Sequence, residues 1–197
     1  MQHKDGTAHW YGVTISKTLE ENGNLLLICN ARNIDKNIEK ERRHEQLSLY
    51  DHLTGVANKA FFDAMLKSSQ TNGQRPLSIL VCDMDQLKAI NDRYGHARGD
   101  EAIKITAQLI RSSLRKADFI ARIGGDEFAV ILPGADRDEA MAVVKRIHKS
   151  FAEYNSDKDD LPFTISVGMS TINDTYTSLE AALYSADMDM YRRKHTH

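Results

Sequence analysis

The stretch IARIGGDEFAVILP, Ile120 to Pro133, limits the fold more than any other part of the chain. Two short apolar runs rich in strand formers flank Gly124, Gly125, Asp126 and Glu127, a pattern that predicts a β-hairpin with strands over 118–123 and 127–132. Its tip holds two glycines followed at once by two carboxylates. A solvated tight turn accounts for that composition on its own, because glycine accepts positive φ and acids face water.

The neighbouring segments supply a second account. NKAFFDAMLKSS predicts an amphipathic helix capped by Asn58, and LSILVCDMD an apolar strand ending in acids. GDEAIKITAQLIRSSL and RDEAMAVVKRIHKSFAEY predict helices, LPFTISVGMST a strand, and SLEAALYSADMDMYRRK a last helix. After the first helix the order is β-α-β-β-α-β-α. That order predicts an α+β, ferredoxin-like domain: an antiparallel sheet with helices over one face. In such a sheet the first strand lies antiparallel to the third, so Cys82 and Asp83 stand beside Asp126 and Glu127. Converging like charges need neutralising, and a divalent cation does this.

Upstream, residues 9–16 and LLLICNAR read as two strands joined at ENGN. A lone hairpin has no core, so residues 1–34 are expected to be the C-terminal remnant of a larger domain. Residues 35–50 are expected to form a linker helix. Ile34 and Ile38 begin a heptad that Glu41 and Glu45 do not continue, so the coiled-coil signal is weak. Residues 51–197 form the main domain. The net charge of −2 offers no general basic surface for nucleic acid. No apolar run reaches the length of a membrane span and no signal peptide opens the chain, so a cytoplasmic location is expected. Cys29 and Cys82 lie in apolar runs and are expected to be buried, reduced thiols.

Magnesium favours hard oxygen ligands. Asp83, Asp126, Glu127 and the carbonyl of Met84 offer them, and Gly124 and Gly125 let a backbone approach phosphate closely. The set suits a metal-bound nucleoside triphosphate attacked at its α- or γ-phosphate. Downstream, Asp100 carries a carboxylate able to accept both N1–H and N2–H of guanine, and the Asn91 amide suits the N3 and N2 side. Equally, Asp100 suits a helix N-terminus and Asn91 a turn. His96 alone reads as structural.

RIGGDEFAVIL, together with DHLTGVANKAFF, DMDQLKAINDRYGHARGDEAI and the closing SADMDMYRRK, closely resembles the GGDEF diguanylate cyclases over residues 46–194. The resemblance implies a nucleotidyl-cyclase-type fold and condensation of two GTP into cyclic di-GMP with release of two pyrophosphates, in a homodimer. It implies two Mg2+ per site, with Mn2+ as a substitute, on Asp83, the Met84 carbonyl, Asp126 and Glu127. One of that acidic pair would assist deprotonation of the attacking 3′-hydroxyl, and Lys194 would reach the phosphates. Gly124, Gly125, Asn91, His96, Asp100, Leu87 and Lys88 would line the nucleotide. Arg115 and Asp118 match the family's inhibitory RxxD site for the product, with Arg146 as a further basic contact. A catalytically weak module that binds GTP or cyclic di-GMP and signals through partners is the alternative. Leu87 replaces the usual Phe, Lys59 the usual Arg, and KHTH follows where the family continues GRN. The opening segment resembles the last strands of a PAS domain.

Overall fold

The computed structural model describes residues 9–19, 25–35, 49–72, 75–156, 163–174 and 177–195. The chain forms two compact units, Met1–Leu47 and Ser48–His197. In the first, β1 (Tyr11–Leu19) pairs antiparallel with β2 (Leu25–Asn33), from Tyr11 opposite Asn33 to Leu19 opposite Leu25. The open end is tied by Asp35, whose carboxylate accepts from the Trp10 N–H at 2.7 Å and meets His9 Nδ1 at 2.6 Å. These bonds hold the Asp35 carboxyl below the usual carboxylate range. Cys29 is exposed here, against expectation. A two-stranded ribbon cannot enclose its own side chains. The turn at ENGN and most of the expected linker helix, residues 36–48, lie outside the described residues.

Among the described residues the second unit carries ten elements. In chain order they are β3 (Ala57–Asn58), α1 (Lys59–Asn72), β4 (Leu77–Met84), α2 (Leu87–Tyr94), α3 (His96–Ser112), β5 (Phe119–Arg122), β6 (Glu127–Pro133), α4 (Arg137–Ser156), β7 (Ile165–Ile172) and α5 (Leu179–Lys194). The sheet order is β3-β5-β6-β4-β7. Strands β4 to β7 pair antiparallel, and the two-residue β3 joins β5 in parallel, which makes the sheet mixed.

Every residue of β4 is buried. Leu80, Cys82 and Met84 pack with Phe128, Val130, Ile110 and Ile147. Leu77, Ile79 and Val81 pack with Phe62, Leu179, Ala186 and Met190. One core therefore lies under α3 and α4, the other under α1 and α5. The expectation of helices over one face is corrected: both faces are covered. A strand without polar alternation has no solvent face, and that is how LSILVC reads. Cys82 is fully buried, and burial pushes its thiol up to about 12, so it packs as a small apolar group.

Helix α2 was not foreseen. Only Ile90 within it is buried, so its eight residues carry little periodicity. It starts after Gln86, at φ 62°, and stops at Gly95, at φ 83°, where the backbone turns directly into α3. Among the described residues no helix is long and apolar enough to cross a membrane.

Candidate active site

The β4–β6 register sets Asp83 opposite Glu127. The Met84 N–H donates to the Asp126 carbonyl at 3.0 Å. The hairpin closes through Ile123 and Gly124, whose N–H groups donate to the Glu127 carbonyl at 2.9 and 3.3 Å. The two acidic tips thus meet as the strand order required. Gly124 serves space rather than turn geometry: positive φ occurs at Gly55, Gly95 and Gly134, not at Gly124 or Gly125. A Cβ on Gly124 would collide with the Glu127 carboxylate, while Gly125 faces open space.

Two residues inside the quoted motifs, Arg122 and Asp51, act on the hairpin tip through a pairing that no local pattern signals. Arg122 donates from Nε and Nη2 to the Gly125 carbonyl, at 3.2 and 2.7 Å. Its Nη1 donates to both Asp51 oxygens, at 3.1 and 3.2 Å. Asp51 also accepts from the Thr54 N–H and hydroxyl. Burial raises the Asp51 carboxyl, but the Thr54 and Arg122 hydrogen bonds outweigh it and hold the group below its ordinary value. The signal was available: a buried-side arginine just before a loop suggests a planar fork gripping that loop's carbonyl.

From the other side α5 delivers Lys194, whose Nζ lies 2.5 Å from Asp83 Oδ1. Burial raises the Asp83 carboxyl, as do the charges of Asp126 and Asp85, and Lys194 opposes them only in part. Burial likewise raises Glu127, helped by Asp83, Asp126 and Asp187. Burial lowers the Lys194 ammonium, but its bond to Asp83 and the charges of Asp83, Asp126 and Asp85 together outweigh it and leave the group raised.

A carboxyl with a raised folded pKa contributes stability that is present below its ordinary value and lost as pH rises through the folded value. The ionised form of Glu127 is thus the costly one in the folded chain. Glu127→Gln is therefore expected to be more stable than the parent at pH 7, with the difference vanishing as pH falls below the ordinary glutamate range. Urea unfolding at both pH values checks this, and a pH-independent difference would remove the electrostatic explanation.

Among the described residues, no group of at least three His, Cys, Asp or Glu side chains is already arranged to enclose a metal. The donor set still suits magnesium, which keeps waters and substrate phosphates as ligands and needs only a carboxylate or two from protein. Asp83, Glu127, Asp126 and the Met84 carbonyl offer hard oxygens at one strand end, with a surplus of negative charge.

The residues expected at the base lie on α2 and α3. Asn91 packs against Gly99, where a Cβ would collide with the amide oxygen, and Asp100 follows, exposed. Leu87 is half-buried against the core; Lys88 and His96 are exposed. Helix α2 follows the end of β4 after only Asp85 and Gln86.

Arg115, Asp118 and Arg146 gather around the α3–β5 connection. Asp118 is buried, and its Oδ2 accepts the Arg115 N–H at 2.7 Å, closing its own turn. Arg115 Nη2 stands 3.6 Å from Glu139 Oε1, and Arg146 Nε donates to the Ser113 carbonyl at 2.7 Å.

A mixed sheet with helices on both faces, carrying a Gly-Gly-acid hairpin opposite a strand-end aspartate, defines a nucleotidyl-cyclase-type domain. Residues 48–197 match the family model for the diguanylate cyclase GGDEF domain, and the chain belongs to that family. It is 34% identical to the probable diguanylate cyclase DgcC of Escherichia coli K12 over 160 residues, 79% of this chain and 43% of that protein. It is 31% identical to diguanylate cyclase DgcM of the same organism over 186 residues, 89% of this chain and 45% of that protein. The chain thus spans less than half the length of these curated relatives. Among solved structures it resembles the coiled coil and GGDEF domain of DgcB from Caulobacter crescentus in complex with c-di-GMP. The TM-score is 0.74 at 25% identity, covering 83% of this chain and 89% of that one. The GGDEF domain of TpbB from Pseudomonas aeruginosa matches with TM-score 0.65 at 35% identity, covering 75% and 90%.

Proposed function

We propose that the chain condenses two GTP into cyclic di-GMP, acting in the cytoplasm as a homodimer with Mg2+, for which Mn2+ can substitute. The observation that carries this reading is the pairing of Asp83 with Glu127 at one strand end, with Lys194 reaching in. Asp83, the Met84 carbonyl, Asp126 and Glu127 would hold the metal, which neutralises phosphate charge and polarises the α-phosphate. Gly125, open to solvent, gives the triphosphate access to the backbone. Lys194 holds phosphate oxygens. Asp126 or Glu127 takes the proton of the 3′-hydroxyl, and burial of Glu127 raises its affinity for that proton. The 3′-oxygen bonds to the α-phosphorus, the bond to the bridging oxygen breaks, and pyrophosphate leaves. The product needs that step twice, with one nucleotide site per chain, so two chains face each other across a two-fold axis.

Incubation with GTP and Mg2+, followed by chromatography for cyclic di-GMP and pyrophosphate, tests the reading. The rate should rise faster than linearly with protein at low concentration; strictly linear dependence from an established monomer would sink the dimer. The second reading, a module that binds without turnover, draws on the Lys194–Asp83 ion pair, which already neutralises part of the acidic edge.

Asn91 and Asp100 are proposed to read guanine. ATP would leave Asp100 unpaired, at a cost of roughly 1–3 kcal/mol. Asp100→Ala is expected to reduce the preference for GTP over ATP by about tenfold or more, read by titration with both triphosphates. Arg115, Asp118 and Arg146 are proposed to bind the product and hold two domains apart. For that, Asp118 would have to release the Arg115 N–H. Initial rates of Arg115→Ala should resist added cyclic di-GMP; inhibition equal to the parent's would remove this site from the account.

A further inference from the structure

Asp85 directly follows β4, one residue beyond the Met84 carbonyl. Its carboxylate is committed to the start of β7. Oδ2 accepts from the Thr164 hydroxyl at 2.6 Å and Oδ1 from the Ser166 hydroxyl at 2.8 Å. The Asp85 N–H donates to the Thr164 carbonyl at 2.9 Å, which carries the β4–β7 ladder one step past the end of β4. Thr164 and Ser166 are two positions apart, so their side chains leave the same face of the strand and reach one carboxylate together. Three hydrogen bonds thus latch Asp85 to the edge strand of the sheet.

The latch orients the Met84 carbonyl. That carbonyl and the Asp85 N–H belong to one planar trans peptide, so they point in opposite directions. With the N–H held on the β7 side, the carbonyl is aimed across β4 toward the hairpin. The Met84 N–H points there too, donating to the Asp126 carbonyl at 3.0 Å. In an antiparallel ladder the N–H and C=O of one residue face the same neighbour, so the two observations agree. The next residue makes the hold necessary. Gln86 sits at φ 62°, in the left-handed region that a residue with a Cβ adopts only at a cost. Such a conformation persists where the surrounding structure pins it.

We propose that Asp85, Thr164 and Ser166 are positioning residues for the metal. They give the cation no ligand; they hold the Met84 carbonyl at the angle that a small octahedral cation demands. The proposal rests on the metal site proposed above. Mg2+ tolerates little departure from octahedral geometry, whereas Ca2+ takes more oxygens in looser arrangements. A latch that sets an angle therefore matters to Mg2+ more than to Ca2+. A latch that merely closes the sheet edge matters to both alike.

The test is the thermal unfolding midpoint of the full chain against added Mg2+ and, separately, Ca2+, from whose rise each affinity follows. The double variant Thr164→Val/Ser166→Ala removes both hydroxyl donors, changes no charge and leaves every proposed ligand in place. Its Mg2+ affinity is expected to fall about tenfold, the usual effect of losing groups that orient a metal ligand, and its Ca2+ affinity by a smaller factor. A lower cation-free midpoint in this variant does not interfere, because affinity is read from the rise above it. Thr164→Ser keeps the hydroxyl and should bind both cations as the parent does. Asp83→Asn removes a ligand and should weaken both.

Unchanged Mg2+ affinity in the double variant overturns the proposal. So does an equal loss for the two cations, and so does a parent whose midpoint does not respond to Mg2+. If the parent binds Mg2+ with the expected dependence on the latch yet makes no cyclic di-GMP, the latch stands and the proposed function falls. If cyclic di-GMP forms while the double variant keeps the parent's Mg2+ affinity, the function stands and the latch falls.

Discussion

Asp83→Asn is expected to lower cyclic di-GMP formation by at least about 10²–10³-fold, the usual effect of removing one charged group aimed at a reacting phosphate. The substitution keeps the volume of a side chain that is 10% exposed at the end of a buried strand. It also removes one member of a carboxylate cluster in which burial first, and the charges of neighbouring acids second, push Asp83 and Glu127 up. Loss of activity should therefore come without collapse of the fold. The Lys194 partner is the counterweight: without the aspartate charge, its ammonium is left to the remaining acids Asp126 and Asp85. In the parent, Mg2+ should raise the thermal midpoint at neutral pH, and in Asp83→Asn that increment should shrink. Normal turnover with unchanged metal dependence would return these acids to a solvated turn.

Gly168→Ala is expected to be strongly destabilising. A Cβ there would collide with the backbone carbonyl of Ala186 and the backbone N of Met190, both on α5. Backbone cannot rotate away as a side chain tip does, so the helix has to lift from β7. Forced overpacking of this kind costs about 1–3 kcal/mol, readable as a lower urea midpoint at an unchanged slope. The lift also carries Lys194 away from Asp83, because both the collision and the ammonium sit on one rigid helix. Nucleotide affinity should fall further than the stability loss alone explains. Wild-type stability would mean that β7 and α5 separate more easily than their packing implies.

How far the sequence led depended on whether a feature was local. The hairpin, β4 and the long amphipathic helices announced themselves by period. The meeting of Asp83 with Glu127 followed from strand order alone. The second helical layer is also written in LSILVC, because a strand with no polar alternation needs cover on both faces. Helix α2 escaped because a helix with one buried residue has almost no pattern. Gly124 also leaves room for the carboxylate of Glu127, a close approach within the hairpin that no sequence pattern reports. The Arg122–Asp51 pair joins residues 71 positions apart, a distance over which no local pattern reports.

That pair has a thermodynamic corollary. The Gly125 carbonyl is gripped by a guanidinium which is itself anchored at the domain's first turn. The tip is therefore ordered before any ligand arrives. A loop that must be frozen on association adds an entropic penalty of its own, and here that ordering has already been met during folding. Nucleotide association should accordingly carry a small conformational entropy change at the tip, with the measured heat coming mainly from phosphate, cation and carboxylate exchanging water for one another.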